Sequence, residues 1–249
     1  MKRSVLPELL YRAHANAVAP MAIPSMTGGY RFDDFRRPPK FYVLYTGGSI
    51  EGCFIEKLQK YRGDDPDADL ILASIKHAPG DPPKIPPPNC VPAKVLRDLA
   101  ASTLRVMDPT AEVVELTAME TLNALPQKGA DVGIHIPLPK PGDFLKTGYR
   151  VSQRASAIIH DTSSATSAVV GVVSRSSLDD FGSADRIHLN YNLYRKTPAQ
   201  GGALRLALDR VRTARALDEY LGELEAALRH LQATPALPLD HPDLVGGTV

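Results

Sequence analysis

Three side chains between Gly28 and Tyr61 have the types and spacing of one ligand site. Arg31 follows the Gly28-Gly29 pair, where a backbone without Cβ atoms can approach a ligand closely. A guanidinium pairs bidentately with phosphate oxygens, so a diphosphate is a natural guest there. Tyr45 falls late in the apolar run FYVLYT, where its ring could stack on a flat heterocycle and its hydroxyl reach the rim. Glu56 lies in the helical stretch that follows, and a carboxylate so placed can stabilise an oxocarbenium-like sugar or accept from a ribose hydroxyl. Each residue also has a plainer account. Arg31 could pair with Asp33 or Asp34, Tyr45 could sit at the edge of the core, and Glu56 could be a solvated helix residue beside Lys57 and Lys60. A fourth candidate, Ser174, follows the mostly β-branched run VVGVV and would emerge at the end of a buried strand, where sheets present ligands. It reads as a hydrogen-bonding group, or as a capping serine with Arg175 turned to solvent. No G-x-S-x-G turn or motif-linked histidine makes it a nucleophile.

The elements that must position these residues are legible around them. Phe41–Thr46 predicts a buried strand with Phe41, Val43 and Tyr45 on one face. Gly47-Gly48 turns the chain, and Ser49 is a suitable N-cap for a helix beginning at Ile50. Ile50, Phe54 and Leu58 form its apolar stripe with Cys53 beside it, which leaves Glu56 facing solvent or a cleft. Upstream, residues 5–18 are mildly amphipathic and end before Pro20 and Pro24. Downstream, an acidic turn leads into the seven prolines between Ala78 and Pro92, and residues 63–92 read as a surface excursion. Beyond it we expect a helix over 93–107, a strand over 112–116, a short helix ended by Pro126, and an edge strand in DVGIHIPL. A helix over 148–160 and strands over 169–174 and 186–194 follow, the last with Ile187, Leu189, Tyr191 and Leu193 on one face. Residues 203–232 are helical by propensity, with a kink or a second helix after Val211. The seam Leu217, Leu221, Leu224, Leu228 and Leu231 is expected to pack on the parent domain, or else to form a partner interface, a homodimer included.

Bulk composition excludes several classes. The 249 residues are 43% hydrophobic and 23% charged with a formal net charge of +1, which fits a soluble globular protein and offers no electrostatic draw to nucleic acid or anionic membranes. No apolar run approaches the roughly 20 residues of a membrane helix, and no signal-peptide core is present, so the chain reads as cytoplasmic. Cys53 and Cys90 lack disulfide-framework or zinc spacing. Phosphate-loop, dinucleotide-fold and H-E-x-x-H signatures are absent, so a prosthetic group or a metal is not expected.

Taken together, YRF at 30–32, LYTGGSIEGCFIE at 44–56 and VVSRSS at 172–177 resemble the RES-domain family, the toxins of bacterial RES–Xre toxin–antitoxin pairs. The resemblance makes Arg31, Glu56 and Ser174 the name-giving residues, with Ser176 and Ser177 as alternatives for the serine. Tyr45 becomes the active-site tyrosine at the family separation of 56 − 45 = 11. Arg12 in LYRAH is similar to the arginine near the family's N-terminus, whereas Tyr30 stands where the family has glycine. The match spans roughly residues 8–195. It implies an α+β fold with an ADP-ribosyltransferase-like split mixed β-sheet over residues 1–195, and residues 196–249 added as a C-terminal helical extension. It further implies NAD as substrate, held by Arg12, Arg31, Tyr45, Ser174 and Arg175, and cleaved at the nicotinamide–ribose bond by hydrolysis, phosphorolysis or transfer to a protein. An Xre-type helix-turn-helix antitoxin is the implied partner. A mono-ADP-ribosyltransferase acting on one protein, or a catalytically degenerate partner-binding member, are the other readings it allows.

Overall fold

The computed structural model describes residues 1–22, 30–62, 89–144, 149–163, 168–175, 188–195, 206–213, 220–239 and 241. In chain order its elements begin with β1 (Arg3–Val5), β2 (Leu9–Ala15), β3 (Tyr42–Gly47) and α1 (Ile50–Leu58). They continue with β4 (Cys90–Val91), α2 (Ala93–Arg97), β5 (Leu99–Val106), β6 (Glu112–Glu115), α3 (Met119–Asp131) and α4 (Arg150–Ser163). β7 (Val169–Arg175), β8 (Leu189–Arg195), β9 (Leu206–Thr213), α5 (Leu221–His230) and β10 (Thr234–Pro235) complete the described set. Eight strands form one mixed sheet in the order β1-β6-β7-β8-β3-β2-β5-β9, and β10 pairs with β4 apart from it. The β6–β7 pair is parallel, and the others in the large sheet are antiparallel. The fold is therefore α+β.

The segment that carries Tyr45 and Glu56 folds as its local chemistry dictates. Phe41 and Val43 are fully buried against α3 and α4, with Tyr45 packed at the edge of the same cluster. Ser49 caps α1 by accepting from the Gly52 N–H at 3.1 Å. Gly47 lets α1 lie close on β3, because a Cβ there would stand 2.7 Å from Cys53 Sγ. Ile50, Phe54 and Leu58 then pack with Leu224, Leu228 and Leu231 of the C-terminal helix and its end, so these three members of the leucine seam face the parent structure while Leu221 is half-buried outside that cluster. Leu217 and the Gly28-Gly29 turn lie outside the described residues, as does most of the proline-rich excursion. The opposite face of the sheet gathers Leu10, Leu44, Leu104, Val113, Val173 and Leu193 into a third cluster.

Several expectations are corrected. The amphipathic stretch 5–18 forms strand β2 with the end of β1 before it. The predicted helix over 93–107 is helical only through Arg97, after which Leu99–Val106 is strand. That strand is flanked by β2 and β9, and a strand buried on both faces shows no alternation to betray it. The C-terminal stretch is not continuously helical either: Leu206–Thr213 pairs with β5, so sheet pairing overrides helix propensity there. Residues on both sides of position 195 thus share one sheet. Helix α3 continues through Pro126, with Leu122, Leu125 and Gly129 buried on one side of the break in its hydrogen bonding. DVGIHIPL is not a strand; Ile134 and Ile136 still alternate into the core while their backbone leaves α3, Ile134 N–H donating to Gly129 O at 2.7 Å.

Candidate functional site

The sheet comes apart where the candidate residues meet. β2 pairs with β5 along its length but with β3 through one described pair, Tyr11 with Gly47. Beyond that pair Arg12 and Ala13 of β2 and Tyr45 and Thr46 of β3 line a cavity of about 270 Å³. Arg31 from the loop before β3 and Glu56 from α1 also line it, so the structure brings four of the six candidates together.

The Arg31 loop is fastened at several points. Tyr45 OH donates to Asp33 Oδ1 at 2.9 Å and accepts from the Phe32 N–H at 3.1 Å. Asp33 Oδ2 accepts from the Tyr30 N–H, and Gln153 of α4 donates to Tyr30 O at 3.0 Å. The Tyr45 hydroxyl is thus committed to the loop, and its ring is what remains to offer a ligand. Burial, and then the Asp33 carboxylate, push its phenol well above the ordinary value, so it stays protonated. Asp34, fully buried, is gripped by Arg36 through Nε at 2.8 Å and Nη2 at 2.9 Å, and also accepts from the Lys40 N–H. Arg36 and Lys40 continue to Asp161 of α4 at 2.6 and 2.9 Å. Both acids beside Arg31 therefore have other partners, and among the described residues no ion pair joins either to Arg31.

That leaves Arg31 in an unusual state. Its Nε is buried without a hydrogen-bond partner, and its guanidinium lies over the Tyr149 ring at 5.9 Å. Arg12 is similar. It donates to Pro20 O and makes no ion pair among the described residues. Burial pulls its guanidinium down to about 10, so it remains cationic at neutral pH. A cation withdrawn from water without a counter-charge is costly unless an anion arrives to meet it. Glu56 Oε1 accepts from Asn190 Nδ2 at 2.9 Å. Among the described residues, the charged side chains lining the cavity are Arg12, Arg31 and Lys57 against Glu56. Cys53 also borders it, but burial raises its thiol to about 12, and its Sγ donates to Tyr11 O, so it is no nucleophile.

Ser174 and Arg175 are not among the lining residues. Ser174 stands on β7 directly opposite Asn190, 2% exposed, with an Oγ that has no partner. Its cross-strand neighbour Asn190 does line the cavity. Arg175 is opposite Leu189 and so projects from the other face of the sheet. Ser176 and Ser177 lie outside the described residues. Sequence reading overlooked Asn190 and Asn192, although a signal was present. The alternation that puts Leu189, Tyr191 and Leu193 on one face of β8 puts two amides on the other.

The Asp161 cluster gives a pH prediction. Burial opposes ionisation of Asp161, but hydrogen bonds from Arg36, His160 and Lys40 outweigh it and hold the carboxyl well below the usual carboxylate range. A carboxyl depressed in the folded state contributes stability above its unfolded value of about 4, and that contribution is lost as the pH falls through and below it. Asp161→Asn should therefore lower Tm at neutral pH, with the gap from wild type closing in melts taken toward about pH 2.

No protein-family model matches the sequence, and no curated protein matches it. Among solved structures, a chain of the crystal structure described as the M. tuberculosis MbcT-MbcA toxin-antitoxin complex aligns over 93% of this chain and 92% of its own, with a TM-score of 0.47 and 18% sequence identity. A likeness at that level assigns neither a fold nor an activity. Among the described residues, no helix is long and apolar enough to cross a membrane.

Proposed function

We propose that this chain binds NAD in the cavity between β2 and β3 and cleaves the bond between nicotinamide and ribose. The observation that carries the reading is one cavity holding two guanidinium groups, Arg12 and Arg31, that have no carboxylate partner among the described residues, together with a carboxylate that accepts from an amide, Glu56 on Asn190. A diphosphate supplies the missing anion, and the tyrosine rings offer faces for a planar base. In the reaction the ribose C1′–N bond breaks and nicotinamide leaves with the electron pair as a neutral molecule. Positive charge spreads over C1′ and the ring oxygen, where the Glu56 carboxylate stabilises it or holds the ribose 2′-hydroxyl. An acceptor oxygen then bonds to C1′ and releases its proton. Ser174, opposite Asn190 on the neighbouring strand and outside the cavity lining, has no assigned part in this reading.

On the sequence resemblance, we further read the chain as the toxin of a RES–Xre-type pair whose partner is a helix-turn-helix antitoxin. Purified protein is expected to release nicotinamide from NAD. Running the assay with and without phosphate, and with labelled NAD in lysate, distinguishes water, phosphate and protein as acceptor. If NAD stayed intact under all three conditions, the reading would be abandoned.

A further inference from the structure

Asn190, which holds Glu56, lines the cavity from β8. So does Asn192, two residues along the strand and directly opposite Tyr45 of β3. Asn192 lines the cavity although it is only 1% exposed. Its Nδ2 leans on the Asn190 backbone carbonyl at 3.4 Å, which sets the orientation of the amide. The Oδ1 and the second N–H are left without a partner among the described residues. Where these groups reach the cavity, a ligand that displaces water must meet both or forfeit their hydrogen bonds. The matching group is one that presents a donor beside an acceptor, which is a primary carboxamide.

The spacing agrees with this. Alternate residues of a strand are about 6.8 Å apart. On one face of β8, then, the Asn192 amide and the Asn190 that holds the Glu56 carboxylate stand at successive positions, and a pyridine ring whose exocyclic amide meets the first would carry its sugar toward the second. The ring between them would lie beside Tyr45. We propose that Asn192 is the specificity-determining residue that reads the substrate's carboxamide, so that the site selects an amidated pyridine dinucleotide over its carboxylate counterpart. The inference rests on the NAD reading. A carboxylate has no N–H to give to Asn192 Oδ1, so the two oxygens would face each other unpaired, and a site built to hydrogen-bond a group rejects the analogue that lacks it.

The test compares kcat/KM of the wild-type protein on NAD and on nicotinic acid adenine dinucleotide. A preference for NAD of about 10–100-fold is expected. Asn192→Leu, close to isosteric but unable to pair, should bring the ratio of the two to near one. Asn192→Ser provides a second variant with less bulk and the same expected loss of ratio. The ratio is the readout because general damage to the fold slows both substrates together. Equal cleavage of both dinucleotides by wild type would overturn this inference and leave the NAD reading standing, as would a wild-type ratio retained in both variants. Cleavage of neither would overturn the NAD reading, and the inference with it.

Discussion

On the NAD reading, Glu56→Ala is expected to lower kcat for nicotinamide release by about 10²–10³, because among the described residues it is the one carboxylate lining the cavity. The fold should tolerate the change. Glu56 is only half-buried and lies off the apolar stripe of α1, and alanine is a good helix former. Among the interactions it surrenders is the hydrogen bond from Asn190, whose amide borders the cavity and can turn to water there. Thermal melts of the variant should therefore stay within a few degrees of wild type while the rate collapses. A purified variant that consumed NAD at the wild-type rate would remove Glu56 from the chemistry.

The largest effect on stability is expected at Gly171, in the middle of β7. A Cβ built there would stand 2.3 Å from the Asn192 carbonyl oxygen and 3.0 Å from Leu193 Cα. Both obstacles are backbone in a paired strand, so neither can rotate away, and β7 and β8 would have to separate. Gly171→Ala should cost about 3 kcal/mol or more, which for a chain of this size lowers Tm by about 6–12 °C. The same displacement would move the strand that carries Asn190 and Asn192, so activity should fall even in the folded fraction. Gly222→Ala is the control. Nothing lies within 4 Å of a Cβ at that exposed position in α5, and it should be neutral or slightly stabilising. Equal melting temperatures for the Gly171 variant and wild type would mean that β7 and β8 are not packed as described.

Local features translated directly into structure. The alternation of Phe41, Val43 and Tyr45, the Ser49 cap and the Ile50–Phe54–Leu58 stripe each depend on neighbours within a turn or two, and each appears as read. That is also why Glu56 could be placed off the buried stripe before its cleft was known. Leu99–Val106 and Leu206–Thr213 have helical propensity yet form strands, for the opposite reason. Their strand state is decided by partners far along the chain, and helix propensity is too weak a preference to resist a completed ladder.

The same division runs through the site. The sequence alone supplied the residue types: an arginine after a glycine pair, a strand tyrosine, an off-stripe glutamate and a strand-end serine. Whether they serve a ligand or one another was decided only by tertiary structure, because a charge or a hydroxyl is defined by what lies within about 3 Å of it. Asp33 and Asp34 turned out to be engaged with Tyr45 and Arg36, and among the described residues neither forms an ion pair with Arg31. Ser174 turned out to stand one strand away, beside Asn190, and Glu56 to be held by that asparagine from 134 positions downstream. No periodicity or cap encodes such distances; they exist only once β8 has paired with β3 and β7.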